Sequence, residues 1–203
     1  MPAPSVAVPY QEFLRRNSNH AAIAGQLAGL SPMLQKALAE MLMIRLFDDF
    51  LETTAGIAYR LACGAPYLSG LSPTLLISPA RSAANARQLF RDHSRSRYWE
   101  PKWSTAAYII KTTKFVIDPG EKFIAAANAH TLTIADMVAV RNRIAHKNAN
   151  SRARYNTVLR RHYGGTPNGV APGHLLLASR VKPTLLDQYL IATRIIIRDL
   201  AGG

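Results

Sequence analysis

Ser31 to Cys63, SPMLQKALAEMLMIRLFDDFLETTAGIAYRLAC, opens on a helix-start signal and runs to the break at Gly64-Ala65-Pro66. Serine caps helices, and proline at the first helical position loses no hydrogen bond, since that N–H has no intrahelical partner. After Pro32 there is no further proline, and Gly56 is the sole glycine before the break. Apolar residues return at helical spacing, first at Leu34, Ala37, Leu38, Met41 and Leu42, then at Phe47, Phe50, Leu51, Ile57, Ala58 and Leu61. The spacing predicts a helix of roughly 30 residues, about 45 Å long. It is too apolar for one dry side, so it should be covered on two faces, by its own domain and by a partner subunit.

Outward from this helix the pattern stays helical. Ser78-Pro79 repeats the start signal and predicts a helix to Phe90, followed by an arginine-rich connection, RDHSRSRYWEPKWSTA, over residues 91–106. Residues 106–117 carry β-branched side chains but read as a buried helix, because no second strand offers itself; residues 119–129 read as a short helix. Thr133 with Asp136 three residues on is a capping-box pattern. It predicts a helix to His146 or Lys147, with Ile134, Met137, Val138, Val140 and Ile144 inward. A further helix is expected over 151–163, then the loop GGTPNGVAPGH, then a last helix capped by Thr184. Toward the N-terminus, three prolines in residues 1–17 predict an irregular arm, with a short helix over 20–29. The expected fold is all-α: an elongated bundle of four to five main helices with a basic insertion, spanning residues 31–200 behind an arm of residues 1–30.

Composition narrows the function. Of 203 residues 48% are apolar and 18% charged, the balance of a folded chain rather than a disordered one. Twenty-five Lys and Arg against 12 Asp and Glu leave a net charge of +13. The excess lies late in the sequence: residues 31–63 hold three basic and four acidic groups, residues 119–203 twelve and four. Such a sum favours a polyanion partner, chiefly nucleic acid. The single cysteine, Cys63, excludes an internal disulfide and reads as a small core residue. The first residues lack the basic-then-apolar pattern of a secretory signal, and no segment has the length of a membrane span, so a cytoplasmic protein is expected.

The chemistry concentrates in Val138 to Asn148, VAVRNRIAHKN. Asn142 and His146 are four apart and share a helical face; Arg141 lies about 140° from His146, a gap that a long side chain and a loosened last turn can close. Histidine is the side chain whose ordinary pKa suits proton transfer near neutrality. Arginine presents a fixed fork to phosphate oxygens, and Asn142 can orient either the imidazole or a ribose hydroxyl. Such a set suits RNA cleavage by attack of the 2′-hydroxyl on its neighbouring phosphate. One histidine serves two proton transfers poorly, so two copies meeting at a symmetric dimer axis would complete the kit. The competing readings are a solvated basic face and a plain phosphate-binding turn.

This motif, on an apolar helix that follows a long first helix, resembles the signature of the HEPN superfamily (higher eukaryotes and prokaryotes nucleotide-binding domain). That signature is Arg, then a polar residue such as Asn, then His after a short spacer; Arg141, Asn142 and His146 match it. The elongated helical core is similar to the RiboL-PSP group of prokaryotic RNases linked to toxin–antitoxin and phage-defence loci. The resemblance implies a metal-independent endoribonuclease, a homodimer with a composite active site, and an antitoxin protein as a partner. It also implies an acidic residue on the long helix that orients the arginine or histidine. Asp48 is the choice, since it follows Phe47 as the family's acidic residue follows an apolar one; Asp49, Glu40 and Glu52 are the alternatives. Lys147 falls where many relatives carry a small residue.

Other basic groups are candidate RNA contacts: Arg143 and Lys147 beside the motif, and Arg152, Arg154, Arg160 and Arg161 on the next helix. Tyr98, Trp99 and Trp103, with Arg95, Arg97 and Lys102, are arranged either to stack a base or to anchor a loop. His130, His162 and His174 lack ligand spacing to a cysteine or acid, so neither a metal nor a cofactor is expected. GGTPNG lacks the Lys-Ser/Thr and the preceding strand of a phosphate loop. Three functions therefore stand: an endoribonuclease, a non-catalytic nucleic-acid or nucleotide binder, and a scaffold subunit of a larger complex.

Overall fold

The computed structural model describes residues 5–93, 100–178 and 182–202. Among them are nine α-helices: α1 (Ala7–Gln26), α2 (Pro32–Ala62), α3 (Ala83–His93), α4 (Ala106–Thr113), α5 (Lys122–Ala129), α6 (Thr131–Ala145), α7 (Ala149–Tyr163), α8 (Pro172–Leu176) and α9 (Leu185–Leu200). The fold is all-α, in more pieces than the four or five expected. The long helix is present at 31 residues. Leu42, Met43, Leu46, Phe47, Phe50, Ile57, Ala58 and Leu61 are buried, which on a 3.6-residue turn is one broad face. The second apolar strip stays at the surface: Leu34 is 48% and Met41 46% exposed.

Four local expectations need correction. The N-terminal arm is helix from Ala7, because Pro9 falls before the first amide of the backbone ladder, which starts with Tyr10 N–H to the Val6 carbonyl at 3.3 Å. A proline there removes nothing the helix uses. Ser78-Pro79 opens no helix, since the Ala80 amide is engaged by the Ala62 carbonyl at the end of α2 (2.9 Å). Ser82 is the cap of α3, its hydroxyl accepting from Asn85 N–H at 3.2 Å. Helix α4 stops at Thr113, and residues 116–118 run beside 74–76, with Leu76 N–H to Val116 O at 2.9 Å and Asp118 N–H to Thr74 O at 3.0 Å. The helix is as expected over Ala106–Thr113, and of the β-branched residues Val116 and Ile117 belong to the paired stretch. Finally, α6 begins at Thr131, not at a Thr133 cap, and Asp136 pairs with Arg161 instead of closing a capping box. The Thr184 cap is as expected: its hydroxyl accepts from Asp187 N–H at 3.2 Å and donates to the Asp187 carboxylate at 2.6 Å.

The chain divides into two compact units, with the divisions falling inside α1, α2, α6 and α9. One comprises Met1–Leu14, Phe50–Ile134 and Arg194–Gly203. Its core holds Phe50, Ile57, Phe90, Ile109, Ile117 and Phe123, all fully buried. Trp103 is 8% exposed and meets Tyr59 and Phe90 edge-on, with centroids 5.7 and 5.8 Å apart. Such pairs add to simple area burial, so Trp103 is an anchor and not a free stacking platform. At the end of α9 Gly202 has φ +75°, and a β-carbon there would lie 2.5 Å from Tyr67 Cδ1. Gly202→Ala is therefore expected to destabilise by roughly 1–3 kcal/mol from overpacking alone, with the left-handed backbone adding to it. A lowered urea midpoint measures this; an unchanged one would contradict it.

In the same unit the Glu121 carboxylate accepts from Thr74 N–H at 2.8 Å. Burial opposes its charge, but the hydrogen bonds it accepts, those from Thr74 foremost, together outweigh that, and its pKa lies below the ordinary carboxylate value. A depressed folded pKa contributes stability above the unfolded value of about 4.3 and loses it as pH falls through the folded one. Glu121→Gln is expected to flatten that acid limb, read as a smaller drop in urea midpoint on acidification.

The other unit comprises Arg15–Asp49 and Ala135–Thr193. Its interior is formed by Leu42, Met43 and Leu46 of α2, Met137 and Val140 of α6, Val158 and Leu159 of α7, and Leu185 and Leu186 of α9, all buried. Buried Asn17 of α1 donates to the Leu190 carbonyl (3.1 Å) and the Thr193 hydroxyl (3.2 Å) of α9, satisfying polar atoms inside that core.

Candidate functional site

All of the motif residues lie in this second unit. Met137 and Val140, both fully buried, hold the inner side of α6, and Arg141, Asn142, Arg143 and Ile144 follow half-buried. The helix ends at Ala145 because Asn148 turns extended (φ −94°, ψ 171°) to cap α7, its side chain accepting from Ser151 N–H at 2.8 Å. His146 therefore stands one residue past the helix, and the last turn is not loosened as expected. Its amide still donates to the Asn142 carbonyl at 2.8 Å, and its carbonyl accepts from the Ser151 hydroxyl. The backbone of His146 is thus tied on both sides, while its side chain is exposed and has no hydrogen bond among the described residues.

Of the acidic candidates, Asp48 is the one that meets the motif: its Oδ1 lies 3.7 Å from Arg141 Nη2. Arg141 Nη1 makes a long hydrogen bond, 3.5 Å, to Asn142 Oδ1, and its buried Nε has no partner among the described residues. Asp49, one residue on and about 100° around the helix, faces α1, where Arg16 Nη1 (2.9 Å) and His20 Nε2 (2.7 Å) hold its two oxygens. Glu40 accepts from Gly173 N–H of α8 at 2.8 Å. Glu52 is exposed and lies in the other unit.

The basic candidates separate by position. Arg143, Lys147 and Arg152 line a cleft of ≈ 530 Å³ between α6, α7 and the loop over residues 166–172. Arg154 is exposed; Arg160 turns back to Asn156 O and Thr157 Oγ1 of its own helix, each at 3.4 Å. Arg161 is committed to Asp136. The structure brings together Asp48, Arg141 and Asn142 on one side of α6, and Arg143 with Lys147 and Arg152 on another. Arg141 and His146 make no hydrogen bond to each other.

Elsewhere, Tyr98, Trp99, Arg95 and Arg97 lie outside the described residues. Lys102 sits 5.1 Å from the centre of the Tyr108 ring. Burial pushes the half-buried Cys63 thiol above its usual pKa, with Arg60 opposing, which suits a packed thiol better than a nucleophile. Among the described residues no three His, Cys, Asp or Glu side chains are grouped for a metal ion. His130 pairs with Asp199 at 2.8 Å. No single described helix is long and apolar enough to cross a membrane.

Ser151 was not legible as part of the site, although Asn148 with Ser151 three residues on is a capping spacing that could have flagged it. The 166–172 loop was read as a bare connection. Its packing depends on Glu40 and on Gly173, where a β-carbon would lie 2.6 Å from the Lys36 carbonyl, and neither signal is local. No protein-family model, curated protein or solved structure matches the chain.

Proposed function

We propose that the protein is a metal-independent endoribonuclease of HEPN type that cuts RNA as a homodimer, with a role as a toxin or phage-defence effector. The observation that carries this reading is the pairing of Asp48 with Arg141 in the last turns of α6, five residues before an exposed His146 whose backbone is fixed. The carboxylate aims a guanidinium whose fork suits a phosphate and whose buried Nε still lacks an acceptor.

In the reaction the ribose 2′-oxygen attacks the adjacent phosphorus while a neutral imidazole takes its proton. Arg141 binds the phosphoryl oxygens as negative charge builds on them. The P–O5′ bond breaks, the 5′-oxygen receives a proton from an imidazolium, and the products are a 2′,3′-cyclic phosphate and a 5′-hydroxyl. Two imidazoles share the transfers when a second copy brings its own His146 to the cleft. The exposed apolar strip at Leu34 and Met41, followed at helical spacing by Asp48, suits that association. An unguarded RNase harms its own cell, which accounts for an antitoxin protein as partner.

The test is cleavage of single-stranded RNA in EDTA with analysis of both new ends. Cyclic phosphate and 5′-hydroxyl ends are expected; their absence across substrates would end the reading. A second reading, binding of nucleic acid or nucleotide without cutting, draws on the cation-lined cleft. Salt-sensitive RNA affinity without new ends would select it. A scaffold subunit would bind a larger complex and ignore substitutions at the motif.

A further inference from the structure

Two side chains that line the cleft between α6, α7 and the 166–172 loop each carry a buried polar atom without a hydrogen-bond partner among the described residues. They are Arg143 Nη1 and the hydroxyl of Tyr155, a residue that is 2% exposed. Both residues line the same hollow. Buried polar groups in folded proteins are almost always bonded, so the wall of this cleft holds donor capacity that no described residue uses, on two side chains that must turn toward the hollow to meet a ligand.

The chemistry of that acceptor follows from the lining. Burial, with Tyr163 and Glu40 adding to it and Arg143 opposing, pushes the Tyr155 phenol above its usual pKa, so at neutral pH it keeps its proton and can donate. Arg143 is donor-only. Lys147 and Arg152, both exposed, add two more cations at the rim. The one carboxylate in the wall, Glu40, already accepts from Gly173 N–H at 2.8 Å. Three cations against one engaged carboxylate select an oxyanion. The hollow is also more than an ion needs: ≈ 530 Å³ falls within the ~300–1,000 Å³ of small-molecule sites, and Ile144, Leu159 and Pro167 give it an apolar wall. An anion joined to a flat apolar body fits both halves.

We propose that this cleft seats one nucleotide unit of an RNA strand, its phosphate held by Arg143, Lys147 and Arg152 and its base against Ile144, Leu159 and Pro167. The identification of the strand as the one being cut rests on the endoribonuclease reading. Arg143 lies about 200° around α6 from Arg141, so the cleft is a hold on the strand separate from the motif side. It supplies a grip on substrate that the motif side of α6 does not.

The experiment uses His146→Ala protein, which keeps the cleft, and measures binding of adenosine and uridine 5′-monophosphates, inorganic phosphate and a single-stranded oligoribonucleotide by calorimetry. A mononucleotide should bind saturably and about tenfold or more tighter than phosphate, and the oligoribonucleotide should displace it. The exposed changes Arg152→Gln and Lys147→Gln should each weaken the mononucleotide about three- to tenfold without altering the unfolding temperature. No saturable binding, phosphate binding as tightly as nucleotide, or indifference to both substitutions would overturn the site. A nucleotide that RNA fails to displace would overturn its assignment to an RNA strand. If displacement occurs while the parent protein cuts no RNA, the nuclease reading falls and the nucleotide site stands.

Discussion

His146→Ala protein is expected to fold as the parent does and to cut RNA about 10²–10⁴-fold more slowly, the usual contribution of a positioned acid–base group. The split between folding and activity follows from the geometry. The side chain is exposed and unbonded among the described residues, whereas the groups that fix the turn are its amide and carbonyl, which alanine keeps. Surface changes of this kind usually alter stability by no more than about 0.5 kcal/mol. In a dimer both copies lose the imidazole at once, so neither proton transfer has a side chain to serve it. Gel assay of RNA cleavage beside a thermal melt reads both quantities. Cleavage at the parent rate would remove the catalytic reading, whatever the melt shows.

Arg141→Ala is expected to lower cleavage about 10²–10³-fold, the range for removing one donor from a site where negative charge develops. Arg141→Lys should recover little, because an ammonium on a flexible stem does not reproduce the planar fork. Stability should change little: the partner carboxylate is half exposed at 3.7 Å, and ion pairs of that kind are worth about 0–1 kcal/mol. Asp48→Asn offers a graded comparison, since it leaves the guanidinium in place but loosens its aim. An Arg141→Ala protein with unimpaired cleavage, or one that fails to fold, would contradict this assignment.

Much of the helical layout was readable because its signals are local. Ser31-Pro32 starts α2 and Gly64 follows its end; Thr184 and Asp187 start α9 by a bond between residues three apart. Misreadings came where a distant partner overrides a local signal. Ala62 takes the Ala80 amide and cancels the helix start at Ser78-Pro79, and Thr74 and Val116 draw residues 74–76 and 116–118 alongside each other. Within the site, Arg141, Asn142 and His146 could be named from spacing, and so could two adjacent aspartates, but spacing could not say which of the two faces α6. The cleft escaped notice because Glu40 in its wall is held by the Gly173 amide, 133 positions away in sequence.

The pair of aspartates carries a mechanical consequence. Arg16 and His20 grip both oxygens of Asp49 and so set the roll of α2 about its own axis. Since neighbours on a helix are separated by about 100°, fixing the roll at Asp49 also fixes the bearing of Asp48. The aim of the guanidinium on α6 is in this way referred to α1, two helices away, through a residue that never touches it.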